Sequence, residues 1–129
     1  MKTVFGLILI AFIATTAQGA DKNGNYKIGG GVGVMKCPEF LDVMATHRQL
    51  GGMNTESGAV AVNPEIEYVL GFQTGFNLVS TSGLDIFQKI SPSEGVNALY
   101  AIEPYCQQHP DKNFGQALIW LATYLRDSK

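Results

Sequence analysis

The sequence predicts an all-α fold, a small bundle of about four helices with one disulfide. Three observations carry that reading. Apolar side chains recur at i, i+3, i+4 and i+7 in separate segments, and no stretch of any length alternates apolar with polar residues as a half-buried strand does. Proline or asparagine stands at the start of these periodic segments, where proline needs no N–H partner and asparagine can cap. The chain has two cysteines, Cys37 and Cys106, each at the apolar side of an expected helix end.

The N-terminus MKTVFGLILIAFIATTAQGA has a basic Lys2, an apolar run over 4–14, and small residues at Ala17 and Gly19. That is the layout of a secretory signal peptide over 1–19. The rival, an uncleaved membrane anchor, needs a longer apolar run than one that turns polar at Thr15. Removing 1–19 from 129 residues leaves 110, which suits one domain with a modest core. The expected organisation is therefore a signal peptide at 1–19, a flexible Gly-rich arm at 20–35 and a single helical domain at 36–129. Without Lys2 there are 8 basic against 11 acidic side chains, a difference of −3. That balance points neither to nucleic acid nor to an anionic membrane surface.

In an exported chain two cysteines are most simply a disulfide. Cys37 to Cys106 closes a loop of about 70 residues, worth roughly 4 kcal/mol in the chain-entropy model. Two free thiols are one competing reading. A zinc site completed by His47 and His109 is another, although the spacing around Cys37 fits no finger pattern. No metal and no cofactor are expected.

The arm, DKNGNYKIGGGVGV over 21–34, has no helical period and lacks the spacing of a phosphate-binding loop. Pro38 marks the first turn of helix one, whose stripe is Cys37, Phe40, Leu41, Met44 and Ala45, ended by Gly51-Gly52. The apolar patch at 59–62 belongs to no expected element. Asn63-Pro64-Glu65 opens helix two, with Tyr68, Gly71, Phe72, Gly75, Phe76 and Val79 on its stripe. Each glycine weakens that helix by roughly 1 kcal/mol relative to alanine, so a neighbouring helix is expected to approach closely there. The rival reading, a membrane dimer motif, is opposed by Glu65, Glu67 and Gln73.

Ser91-Pro92-Ser93-Glu94 reads as a capping box opening helix three, which carries Val96, Leu99, Ile102 and Cys106. Pro104 should kink it and Pro110 should end it. Asn113 caps helix four, with Phe114, Ala117, Leu118, Leu121, Ala122 and Leu125 on one stripe. Ile119, Trp120 and Tyr124 lie off that stripe, so they are the candidate interface, either between two copies or with another partner.

An enzyme needs a nucleophile and base, a carboxylate pair or a metal cluster. No Gly-x-Ser-x-Gly and no His-Glu-x-x-His occurs, and His47 and His109 are the only histidines. Glu65 and Glu67 point apart on a helix, and Glu103-Pro104 has no evident partner for acid–base work. The expectation is a binding protein without catalytic residues.

Lys36-Cys37-Pro38-Glu39-Phe40-Leu41-Asp42-Val43 resembles the opening of the HdeA/HdeB family of periplasmic acid-stress chaperones, and Tyr105-Cys106 with His109-Pro110 and a last amphipathic helix resembles that family's second half. Val69-Leu70-Gly71-Phe72-Gln73-Thr74-Gly75 is similar to a glycine-spaced helix of broader HdeA-like proteins, and also to periplasmic immunity proteins that neutralise toxins. The resemblance implies a periplasmic protein that is a homodimer near neutral pH. In acid it implies dissociation, partial unfolding and binding of denaturing client proteins. Phe72, Phe76, Leu118 and Leu121 are then the candidate client-binding apolar face. The immunity-type alternative is a module that inhibits one specific partner protein.

Overall fold

The computed structural model describes residues 30–80, 85–90 and 95–128. Among the described residues there are five α-helices: α1 (Cys37–Gln49), α2 (Glu56–Val60), α3 (Asn63–Val79), α4 (Val96–Gln108) and α5 (Phe114–Asp127). Short 3-10 turns lie at Gly31–Val34 and Gly52–Asn54, and among the described residues there is no strand beyond one isolated bridge, Lys36 with Asn113. The fold is all-α, with four helices of more than two turns and the short α2. The signal peptide expected over 1–19 and the arm over 20–29 lie outside the described residues. The arm's last residues form the 3-10 turn, in which Gly33 is buried and Val32 packs on the core.

α1, α4 and α5 enclose the core. Phe40 of α1 and Phe114 of α5 pack with their rings tilted at 5.1 Å, and Tyr68 of α3 meets Phe114 edge-on at 5.8 Å. Both phenylalanines are fully buried, as are Met44, Leu99, Ile102 and Leu118. Each such side chain contributes about 1.5–3 kcal/mol by leaving water. Cys37 and Cys106 are bonded at an S–S distance of 2.07 Å, which ties the first residue of α1 to the last turns of α4. The same end of α1 is also fastened to α5. The Cys37 N–H donates to the Lys112 carbonyl at 3.0 Å, and the Phe114 N–H donates to the Met35 carbonyl at 2.8 Å.

The stripe of α1 is turned slightly from the expected one. Cys37, Phe40 and Met44 are buried, but Ala45 is exposed and His47 is buried instead. The patch at 59–62 also finds its place. Thr55 Oγ1 caps α2 by accepting from the Gly58 N–H at 3.0 Å, and Val62 enters the core.

α3 begins one residue earlier than read. Asn63 is its first residue and Val62 holds the cap position, with no side-chain cap bond. Its glycines do not meet a neighbouring helix. A Cβ at Gly71 or Gly75 would touch nothing within 4 Å among the described residues. The buried side of α3 is Glu65 and Val69, with Ile66, Tyr68 and Phe72 packed against the core. Gly71, Gly75 and Val79 face outward. The expected stripe thus straddled two faces.

The capping box at 91–94 lies outside the described residues. α4 itself starts at Val96 behind Gly95, whose φ of 87° suits glycine, and runs unbroken through Pro104. It ends at Gln108, with His109 in a non-helical conformation before Pro110. α5 has the expected reciprocal cap: Asn113 Oδ1 accepts from the Gln116 N–H at 2.9 Å, and Gln116 Oε1 accepts from the Asn113 N–H at 3.1 Å.

Candidate binding surface

α4 and α5 pack side by side, and their outer flanks carry aromatic rings. Tyr105, in the last turn of α4, and His109, the residue just after the helix, have ring centroids 4.4 Å apart. Tyr105 stacks on Trp120 of α5 at 4.9 Å and 27° between planes. Trp120 stacks on Tyr124 at 5.8 Å and 16°. The result is a ladder of four rings crossing from one helix to the other. Trp120 is 38 % exposed and Tyr124 60 %, while Tyr105 is half-buried. At the Tyr124 end an open cleft of about 460 Å³ is lined by Trp120, Thr123, Tyr124, Asp127 and Ser128.

The candidate interface residues therefore separate by depth. Trp120 and Tyr124 stand at the surface, and Ile119 is half-buried beside them. Their neighbour on the sequence stripe, Leu121, is buried with Leu118. Tyr105 and His109 were not read as part of this surface. Tyr105 lies on α4 and His109 at its C-cap, and only the packing of α4 against α5 sets Tyr105 beside Trp120.

The candidate client-binding face is not one surface in the folded protein. Leu118 and Leu121 are interior, at 0 % and 3 % exposure. Phe72 is half-buried, stacked on Phe87 at 6.3 Å and near Phe76 at 5.9 Å. Phe76 lines a smaller cleft of about 150 Å³ with Ile86, Lys89 and Leu125.

Several titratable groups hold parts of the fold together. His47 is fully buried, with Nδ1 2.7 Å from the Gly58 carbonyl oxygen and Nε2 2.9 Å from the Tyr100 hydroxyl. A carbonyl only accepts, so Nδ1 carries a proton and donates it to Gly58, and Nε2 shares a hydrogen bond with the Tyr100 hydroxyl. Arg48 pairs with Glu103. Asp85 accepts from the Gln73 amide at 2.7 Å, the Asn77 amide at 3.1 Å and the Phe87 N–H at 3.0 Å. Partial desolvation works to raise the Asp85 carboxyl, but these bonds outweigh it and hold it below its ordinary value. Glu65 is the opposite case. The residue is 3 % exposed, its Oε2 has no hydrogen-bond partner among the described residues, and burial raises its carboxyl above its ordinary value.

With both sulfurs in the disulfide and His47 committed to Gly58 and Tyr100, the residues weighed for zinc do not form a ligand set. Among the described residues no group of three or more His, Cys, Asp or Glu side chains could hold a metal ion. No family model, no curated protein and no solved structure matches this chain.

Proposed function

We propose that this protein works by binding another protein, in its folded state, through the aromatic ladder of α4 and α5. The observation that carries the reading is the exposure of Trp120 and Tyr124 while Trp120 is stacked on Tyr105 and Tyr124 on Trp120. Tryptophan and tyrosine dominate the energetics of protein interfaces, because each brings a large area at little cost in rotamer entropy. Rings already locked by neighbours lose less still on docking. The disulfide and the double fastening of α1 keep α4 and α5 in register, so the surface exists before the partner arrives. In this reading the protein is exported to the periplasm, as its N-terminus and its resemblance to small periplasmic proteins suggest, and it inhibits or carries one specific partner there.

The acid-activated holdase is the second reading. One observation favours it: Leu118 and Leu121 are interior, and the disulfide would keep an opened bundle compact while it presented them. The two readings differ in which state binds. A photo-crosslinking phenylalanine at Thr123, an exposed position in the cleft, separates them in the producing cells, with exposed Gln49 on α1 as the control position. Folded-state binding gives one discrete adduct at neutral pH from position 123, none from 49, and loses it in Trp120→Glu. The holdase gives heterogeneous adducts that appear in acid at both positions and are indifferent to Trp120→Glu. Absence of adducts at either pH removes both readings.

A further inference from the structure

We propose that the outward face of α3 is a self-association surface on which a second copy of this chain docks antiparallel. Leu78 and Val79 are each 80 % exposed and Leu70 40 %, an unusual amount of aliphatic surface for one helix flank. Between them lie Gly71, Thr74 and Gly75, all exposed. At 100° per residue, Gly71 and Leu78 lie on the centre line of this face, Thr74 and Gly75 flank it, and Leu70 and Val79 form its edges. The face is uncharged from Leu70 to Val79. Its polar side chains are already hydrogen-bonded: the Thr74 hydroxyl donates to the Leu70 carbonyl at 2.8 Å, and the Gln73 and Asn77 amides donate to Asp85. The two glycines each weaken α3 by roughly 1 kcal/mol relative to alanine, and nothing among the described residues fills the notches they leave.

The shape of this face selects its occupant. With a two-fold axis between positions 74 and 75, Leu78 of each copy stands over the Gly71 notch of the other. Thr74 then meets Thr74 and Gly75 meets Gly75, so the helices can approach closely. A parallel pair offers no such fit, since Leu78 would meet Leu78 and the notches would face each other. Charge selects the same arrangement. Glu67 lies on the N-terminal continuation of the face, and a parallel pair would set two Glu67 carboxylates together. The antiparallel pair places them about 22 Å apart and opposes the two helix dipoles favourably. A single helix pair covers less than the roughly 800 Å² per partner of a standard interface, so this dimer is weak and concentration-dependent. The face is separate from the aromatic ladder, so self-association and partner binding do not exclude each other.

Sedimentation equilibrium of the purified protein between about 10 µM and 1 mM tests it, across the range where weak dimers form. The wild type is expected to move from monomer towards dimer. Leu78→Glu, at an exposed site, should weaken the dimer at least tenfold. The double variant Gly71→Ala and Gly75→Ala should raise the melting temperature of the monomer, because each Cβ enters open space, and yet weaken the dimer by filling the notches. Trp120→Glu should leave the dimer unchanged. A cysteine replacing Thr74 should cross-link two copies on oxidation, and one replacing Glu67 should not. A monomer throughout overturns the proposal, whether the face stays open or residues 20–29 of the same chain cover it. So does a dimer that Leu78→Glu and the alanine pair leave intact, or one that cross-links through position 67.

Discussion

Two glycines of the same chain are under opposite demands, and a single Cβ shows it. At Gly58 an added Cβ would stand 2.1 Å from the carbonyl oxygen and 2.8 Å from the nitrogen of Gly52, both backbone atoms that cannot swing aside. Gly58 also presents its own carbonyl to the buried His47. Gly58→Ala should therefore push α2 off the Gly52–Asn54 turn, strip His47 of its Nδ1 partner and cost at least ~2 kcal/mol, read as a lower urea midpoint with an unchanged slope. Neither constraint is legible in the sequence, where Ser57-Gly58-Ala59 looks like any loop. His47 was more accessible. It stands three residues after Met44 and seven after Phe40, on the buried side of α1. A buried histidine is possible there because Gly58 and Tyr100 satisfy both ring nitrogens, and those partners come from 11 and 53 residues away.

Among the elements, α5 was the most legible because all its signals are local. Asn113 and Gln116 cap each other, and one apolar stripe runs from Phe114 to Leu125. Replacing Asn113 by alanine should remove the acceptor for the Gln116 N–H and destabilise the protein by about 1 kcal/mol, measurable as a few degrees in the melting temperature. The effect should be larger than for a free helix, since Asn113 also sits in the bridge to Lys36 that fastens α5 to α1. α3 was read less well. Periodicity says that a helix has an apolar stripe, but it cannot say where the neighbours stand. Tyr68, Phe72 and Phe76 turned inward with Val69, while Gly71, Gly75 and Val79 of the same apparent stripe turned out. Only the docking of the turn at 86–90, pinned through Asp85 to Gln73 and Asn77, decides which side is covered. The aromatic ladder was half legible for the same reason: Trp120 and Tyr124 stand off the α5 stripe, but Tyr105 joins them only through the packing of α4 on α5.

The molecule as a whole answers to pH through the few carboxylates whose environment differs between folded and unfolded chain. Asp85, held below its ordinary value of 3.8, adds stability that is present above that value and lost as pH falls through its lowered folded value. Being largely exposed, it adds little. Glu65, raised above 4.5 by burial, works with the opposite sign. Below 4.5 it is protonated in both states and contributes no difference. As pH rises from 4.5 through its raised folded value, the unfolded chain ionises first and the buried carboxyl becomes a growing penalty. Its Oε2 has no hydrogen-bond partner among the described residues to offset the charge. Glu65 therefore favours the folded state in mild acid relative to neutrality, which opposes an acid trigger. Glu65→Gln keeps the shape and removes the titration. Its stability should equal that of the wild type at about pH 3, exceed it progressively above 4.5 and stay higher at pH 7. Urea unfolding at a series of pH values measures the difference directly. A Glu65→Gln protein less stable than the wild type at pH 7 would mean that the carboxylate is ionised and paired when folded. The wild type would then lose that support in acid, as the holdase reading needs.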